Sequence, residues 1–321
     1  MRRKGFTLVE LLVVIAIIAL LMGILMPALA RVRQLAFRMT CGTNLSGIGK
    51  AMLIYANDYE DELPKAGGRT NTWSYSIPDW TALTRQMAFG TGAGSSGTGT
   101  ATVTSNFYLL VKYAEVTPKQ FVCKGETDAK EFKLSEVSVK PNRADFELID
   151  AWDFGPALSE SEHPSQYCSY SYQHPFANYS LTISAEPTMA VAADRNPWMT
   201  DTARVWADFM PDESDISMYT SGTSETARVG NSDSHQGDGQ NVLFLDSHVG
   251  FEKRAYCGTE NDNIYTRATQ LTFSGGTTKD LMGVQVQAYS TVDPLNRRDS
   301  LLIQENTTKS TTASGGSRSR G

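Results

Sequence analysis

Lys4-Gly5-Phe6-Thr7-Leu8-Val9-Glu10-Leu11-Leu12-Val13-Val14-Ile15 opens a run that stays uncharged and almost wholly apolar from Leu11 to Met26. Arg2, Arg3 and Lys4 precede it. The 25 residues from Phe6 to Ala30, at about 1.5 Å rise per residue, make a helix long enough to cross a hydrocarbon core of roughly 30 Å. The segment can therefore span a membrane.

A basic start, an apolar stretch and Ala28-Leu29-Ala30 also describe a secretory signal with an A-x-A cleavage site, which would release a secreted enzyme after Ala30. Three features argue against that reading. The apolar stretch exceeds the usual signal core of about 7–15 residues, and Pro27 stands just before the site. Glu10 is the strongest of the three. A carboxylate costs on the order of 2.5–3.5 kcal/mol at mid-membrane, less near the edge, and a disposable signal gains nothing from it.

Residues 4–15 resemble, almost letter for letter, the cleavage and methylation segment of type IV prepilins and type II secretion pseudopilins. The resemblance implies that prepilin peptidase cuts between Gly5 and Phe6 on the cytoplasmic face and that the new amino group of Phe6 is N-methylated. It also implies that the carboxylate matching Glu10 offsets the N-terminal amine of a neighbouring subunit. Pairing in low dielectric makes either charge tolerable there. Pro27 falls where the family commonly has a proline that bends or loosens the helix. Arg31, Arg33 and Arg38 nearly balance Arg2, Arg3 and Lys4, so the positive-inside rule does not orient the span. The motif does: it implies a single-pass protein of a bacterial inner membrane, N-terminus cytoplasmic and head extracytoplasmic. Its partners would be prepilin peptidase, other pilin or pseudopilin subunits, an inner-membrane assembly platform and the membrane itself.

Beyond Ala30 the pattern turns amphipathic. Leu45, Ile48, Met52, Tyr55 and Tyr59 recur at steps of three and four, so the same helix is expected to continue with one face on a core. Gly42, Gly47 and Gly49 weaken it by about 1 kcal/mol each relative to alanine, and packing must hold it. Glu60-Asp61-Glu62 and Pro64 end it. Short strands are expected at Phe121–Cys123, Ser169–Tyr172 and Thr188–Ala193. A hairpin joins Asn241–Leu245 to His248–Glu252 through a two-residue Asp246-Ser247 turn, whose second position favours glycine. Residues 90–105, rich in Gly, Ser and Thr, read as a flexible surface loop, and 307–321 as a disordered tail. The expected fold is α+β and pilin-like: a long N-terminal helix packed on an antiparallel β-sheet head. Its divisions are a leader at 1–5, a transmembrane and filament-core helix at 6–30, an amphipathic continuation at 31–63, a globular head at 64–306 and the tail.

A second resemblance covers the head. Cys41-Gly42-Thr43-Asn44-Leu45, Ala51-Met52 with Tyr55 and Tyr59, Phe121-Val122-Cys123, Ala193-Asp194-Arg195-Asn196-Pro197-Trp198, and His235 leading to the segment 239–249 resemble prepilin-type proteins abundant in planctomycete-like bacteria. Many of those end in a His-x(n)-Asp-Gly hairpin, and Ser247 stands where they have glycine.

Composition sets the remaining bounds. With 40% hydrophobic residues the chain can build a core, and a net charge of −6 without a basic patch speaks against nucleic-acid binding. Cys41, Cys123, Cys168 and Cys257 show no C-x-x-C spacing. Export permits disulfides, of which Cys41 with Cys123 and Cys168 with Cys257 is the favoured pairing among three, and four buried free thiols are the alternative. Asp233, His235, Asp238, Asp246 and His248 form the densest polar cluster and are candidate metal ligands, although their spacing matches neither an EF-hand nor H-E-x-x-H. Glu260, Asp262 and Asn263 supply hard oxygens suited to Ca²⁺. No other cofactor is implied.

Ser234, His235 and Asp246 can be written as a catalytic triad, but no G-x-S-x-G elbow accompanies them, so no enzymatic activity is expected. Trp73, Trp80, Trp152, Trp198 and Trp206 suit core packing better than a ligand face. The leading expectation is a structural subunit of a type II secretion pseudopilus or type IV pilus-like filament. The rival is a membrane-tethered binding module that does not polymerise.

Overall fold

The structure is a computed structural model that describes residues 8–68, 71–92, 98–159, 162–176, 181–199, 230–272, 278–286, 288–290 and 293–305. Helix α1, Leu8–Asp58, is a single helix of 51 residues with Pro27 inside it. Its first half, through Arg33, is exposed at every position. Its second half buries Cys41, Leu45, Ile48, Met52 and Tyr55, the three-and-four spacing that lays one face on the head. Past Asp58 the chain reverses. Glu60 and Asp61 take left-handed φ values of 52° and 62°, and the Asp61 N–H donates to the Ala56 carbonyl at 3.0 Å, closing the last turn.

The head is built on a five-stranded antiparallel sheet. Its strands are β3 (Tyr170–Gln173), β4 (Ala190–Asp194), β5 (Gln240–Phe244), β6 (Val249–Glu252) and β9 (Leu302–Ile303), in the order β6-β5-β4-β3-β9. β1 (Asn71–Trp73) pairs in parallel with β2 (Gly99–Ala101), and β7 (Arg267–Thr272) pairs antiparallel with β8 (Thr278–Val284). All three central strands are buried along their whole length, because the sheet has a core on each face. A short helix, α2 (Arg85–Phe89), precedes a longer one, α3 (Val103–Tyr113), and on one face of the sheet Leu243 and Val191 join Leu45, Ile48 and Met52 of α1 and Phe107, Leu109 and Leu110 of α3. On the other, Val242 and Phe244 pack with Trp198, Ile264 and Tyr265. A sheet covered on both faces needs apolar residues at successive positions, which is what Val242-Leu243-Phe244 supplies. This is an α+β, pilin-like architecture.

Two strands start or end slightly away from their expected bounds, Tyr170–Gln173 for 169–172 and Ala190–Asp194 for 188–193. Phe121–Cys123 is not a strand: Pro118–Phe121 is a 3-10 turn, with Pro118 at its start where a missing N–H costs nothing. The β5–β6 hairpin is present, but its loop has three residues rather than two. The Ser247 N–H donates to the Phe244 carbonyl at 2.9 Å and the Phe244 N–H to the His248 carbonyl at 3.0 Å, leaving Leu245, Asp246 and Ser247 in the loop. Only Ser247 among them has positive φ, at 71°, as expected for a type I turn closed by a left-handed residue.

The segment 90–105 corrects the loop expectation over its described part. It contains β2 and the start of α3 (Val103–Tyr113), with Thr102 and Ser105 fully buried. The Thr102 hydroxyl accepts from the Ser105 N–H at 2.9 Å, and the Ser105 hydroxyl accepts from the Thr102 N–H at 3.1 Å, a reciprocal cap. Two buried carboxyls meet this helix end. Asp153 accepts from the Thr102 hydroxyl at 2.6 Å, and Glu305 accepts from the Val103 N–H and from Trp73 Nε1 at 2.9 Å. Burial outweighs these donors and pushes the Asp153 carboxyl up to about 7 and the Glu305 carboxyl up to about 8. The tail at 307–321 lies outside the described residues.

Candidate functional site

Half of α1 stands clear of the head. From Leu8 to Arg33, about 39 Å of helix at 1.5 Å per residue, no residue is buried. Among the described residues this is one helix long and apolar enough to cross a membrane. Leu12, Ile15, Leu20, Ile24 and Leu29 are each at least 56% exposed, a surface that a water-soluble head does not carry without a partner. Glu10 lies in the first turn of this apolar rod. Gly5 and Phe6 lie outside the described residues.

The other half of α1 is fastened to the head at several points. A disulfide joins Cys41 to Cys123, with Cα atoms 5.4 Å apart. One turn earlier Arg38 pairs with Asp238 and covers the Phe251 ring at 4.7 Å, while the Gln34 side chain donates to Gln236 at 2.9 Å. Gln236 and Asp238 sit in the approach to β5, so the clasp joins the helix to the sheet edge.

Behind the disulfide lies a buried polar cluster. His235 Nε2 is 3.8 Å from Cys123 Sγ and 3.2 Å from Asp194 Oδ2, and neither His235 nor Asp194 is more than 5% exposed. The Asn241 backbone N–H donates to the same Asp194 oxygen at 2.7 Å and its Nδ2 donates at 3.1 Å. Asp194 Oδ1, buried as well, has no hydrogen-bond partner among the described residues. Among the described residues the donors have gathered on one carboxylate oxygen and left the other bare, an arrangement that buried polar groups rarely show. Cys41, Cys123, Asp194 and His235 each bring a ligand atom within 4.8 Å of all the others.

This cluster replaces the one read from the sequence. Of Asp233, His235, Asp238, Asp246 and His248, only His235 enters it. Asp233 is exposed, Asp238 is engaged by Arg38, and Asp246 and His248 pair with each other at 2.5 Å on the exposed hairpin tip. The same dispersal removes the candidate triad, since the Ser234 hydroxyl donates to Glu126 at 2.7 Å and Asp246 is far along the hairpin from His235. Glu260, Asp262 and Asn263 hold their own loop together. Asp262 accepts from the Ser300 N–H at 2.8 Å, Asn263 from the Tyr265 N–H at 3.0 Å, and Glu260 pairs with Arg298 at 3.2 Å.

Cys168 and Cys257 are free thiols and not the second bridge of the favoured pairing. Burial pushes the Cys168 thiol up to about 12 and keeps it protonated. Trp73, Trp80, Trp152 and Trp198 are all buried, and Trp206 lies outside the described residues. Sequence reasoning missed Asp194 and Asn241, although an aspartate closing the apolar strand Ala190-Val191-Ala192-Ala193 was a legible signal.

Residues 1–26 match the family described as the prokaryotic N-terminal methylation motif. No curated protein and no solved structure matches the chain. The matched segment ends inside the exposed half of α1 and does not reach the head. Over those residues the chain is type IV prepilin- or pseudopilin-like, and among the described residues its apolar N-terminal helix is long enough to serve as a membrane anchor.

Proposed function

We propose that this chain is a structural subunit of a filament, either a type II secretion pseudopilus or a type IV pilus-like fibre. It is cut after Gly5, methylated on Phe6, held in the inner membrane by residues 6–30 with its head extracytoplasmic, and then drawn through an assembly platform into a helical polymer. No catalytic step is assigned to it. The observation that carries the reading is the bare apolar half of α1 with an acid in its first turn. A simple anchor needs only apolar length. A carboxylate near the boundary costs free energy, and the amine exposed on a sister chain by cleavage offsets that cost.

The multiple fastenings of the second half support the same reading. A subunit pulled by its helix transmits force to its head only if the two cannot part, and a disulfide with a clasp one turn away provides that. Replacing Glu10 with alanine tests the proposal. Filament yield should fall at least tenfold while the level of mature, membrane-bound protein stays unchanged. Undiminished filaments would contradict assembly through this helix and favour a membrane-tethered binding module.

A further inference from the structure

The buried cluster holds more ionisable chemistry than a disulfide needs. A cystine is satisfied by apolar packing, yet here it adjoins an imidazole and a carboxylate with no exposed surface between them. We propose that with its cysteines reduced the chain binds one zinc ion through Cys41 Sγ, Cys123 Sγ, His235 Nε2 and an Asp194 carboxylate oxygen.

The distances favour this. In a tetrahedral zinc site with bonds of about 2.3 Å to sulfur and about 2.0–2.2 Å to nitrogen and oxygen, neighbouring ligand atoms stand roughly 3.3–3.8 Å apart. His235 Nε2 already lies 3.2 Å from Asp194 Oδ2 and 3.8 Å from Cys123 Sγ. The remaining pairs lie within 4.8 Å of one another, and the two sulfurs must separate, which breaking their bond permits. Asp194 Oδ1, buried and without a hydrogen-bond partner among the described residues, leaves the carboxylate with a vacant lone pair.

The surroundings are those a metal site requires. Asn241 holds Asp194 Oδ2 through its backbone N–H at 2.7 Å, while its Nδ2 lies 3.1 Å from both that oxygen and His235 Nε2, a contact the imidazole gives up when Nε2 turns to the ion. The Gly125 N–H donates to Cys123 Sγ at 3.4 Å, a contact that stabilises a thiolate. Gly125 has no room for a side chain, since a β-carbon would stand 2.1 Å from the Ser234 carbonyl oxygen and 3.2 Å from His235 Nδ1. The turn therefore closes tightly over the imidazole. Two thiolates, one imidazole and one carboxylate suit a borderline-soft tetrahedral ion, and four protein ligands leave no open position for catalysis.

Binding changes no oxidation state: each thiol loses its proton to solvent and each sulfur donates a lone pair to the ion. The disulfide form excludes the ion. Passing from it to the metal form takes two electrons and two protons from a dithiol reductant, which leaves as its own disulfide. Cys41 belongs to α1, Cys123 to the turn after Phe121, Asp194 to β4 and His235 to the approach to β5. The ion would thus fasten the helix to the sheet wherever the chain is kept reduced.

The test uses the untagged full-length chain in detergent, stripped with a chelator and divided into oxidised and phosphine-reduced samples. The reduced sample should take up one Zn²⁺ per chain in competition with a chromophoric chelator, and the oxidised sample none. Co²⁺ in place of Zn²⁺ should show thiolate-to-metal charge transfer together with tetrahedral d–d bands. His235→Gln and Asp194→Asn should each weaken Zn²⁺ binding tenfold or more. The proposal is overturned if the reduced chain binds no more zinc than the oxidised one, or if bound Co²⁺ lacks the sulfur charge-transfer band. The Co²⁺ spectrum of the unaltered chain decides even where a variant fails to fold.

Discussion

Leu243 of β5 lies so close to Gly49 of α1 that a β-carbon on Gly49 would stand 2.6 Å from Leu243 Cδ1. Glycine at this position weakens the isolated helix, and the sequence alone shows only that cost. The sheet explains it: the helix backbone must come nearer to β5 than any side chain allows, and Leu243, 1% exposed, has little space to turn away.

Gly49→Ala therefore trades a helix gain of about 1 kcal/mol against overpacking of about 1–3 kcal/mol. A net loss of about 1 kcal/mol is expected in chemical denaturation of the full chain. A stabilised variant would show that Leu243 repacks freely.

Opening the Cys41–Cys123 bridge removes a cross-link across 82 residues of chain. In chelator, where no metal can substitute, Cys41→Ser with Cys123→Ser should lower the unfolding free energy by about 2–5 kcal/mol. The loss should appear in both thermal and denaturant unfolding. An unchanged midpoint would mean that the clasp of Arg38 and Asp238 holds the helix by itself.

Stability should fall as pH rises from about 6.5 to 8.5. Asp153 and Glu305 have folded values near 7 and 8, above those of the unfolded chain, so in this window the folded state holds protons that the unfolded state has lost. Raising the pH strips those protons and leaves two buried charges, at a cost on the order of 2 kcal/mol. Below pH 6.5 the slope flattens. Burial lowers His163 and His174 to about 4, so the unfolded chain then gains protons that the folded chain refuses, opposing the carboxyls. Melting temperature against pH checks this, and Glu305→Gln should remove most of the alkaline decline.

Ser247 pays for its left-handed backbone at the hairpin tip with a strain of about 1–2 kcal/mol, part of which glycine returns as flexibility of the unfolded chain. Ser247→Gly should stabilise the head by up to about 1 kcal/mol, whereas Ser247→Val should destabilise it by a similar amount.

Periodicity carried most of what the sequence revealed. The stripe from Leu45 to Tyr59 has a three-and-four spacing that only a helix satisfies, and the run Val242-Leu243-Phe244 is marked as a strand by its β-branched and aromatic residues and the polar turn that follows, so the long helix and the central hairpin could be read directly. Helix α3 could not. Its cap, Thr102 with Ser105, continues a Gly/Ser/Thr-rich stretch, and only burial separates a cap from a loop of the same composition. The hairpin loop length was hidden for a similar reason, because Leu245 is apolar enough to extend β5 yet stands in the turn.

The buried cluster was the least legible feature. Cys41, Cys123, Asp194 and His235 come from four distant segments that only the sheet order brings together. The nearer set of Asp233, Asp238, Asp246 and His248 looked denser because proximity along the chain is visible and proximity in space is not.

The mass and N-terminal sequence of the mature chain, recovered from the membranes of its native cells, test the central claim most directly. The expected product is a polypeptide that begins at N-methylated Phe6 and retains the whole of the apolar helix. A chain that begins at Arg31, or one that keeps residues 1–5, would contradict it.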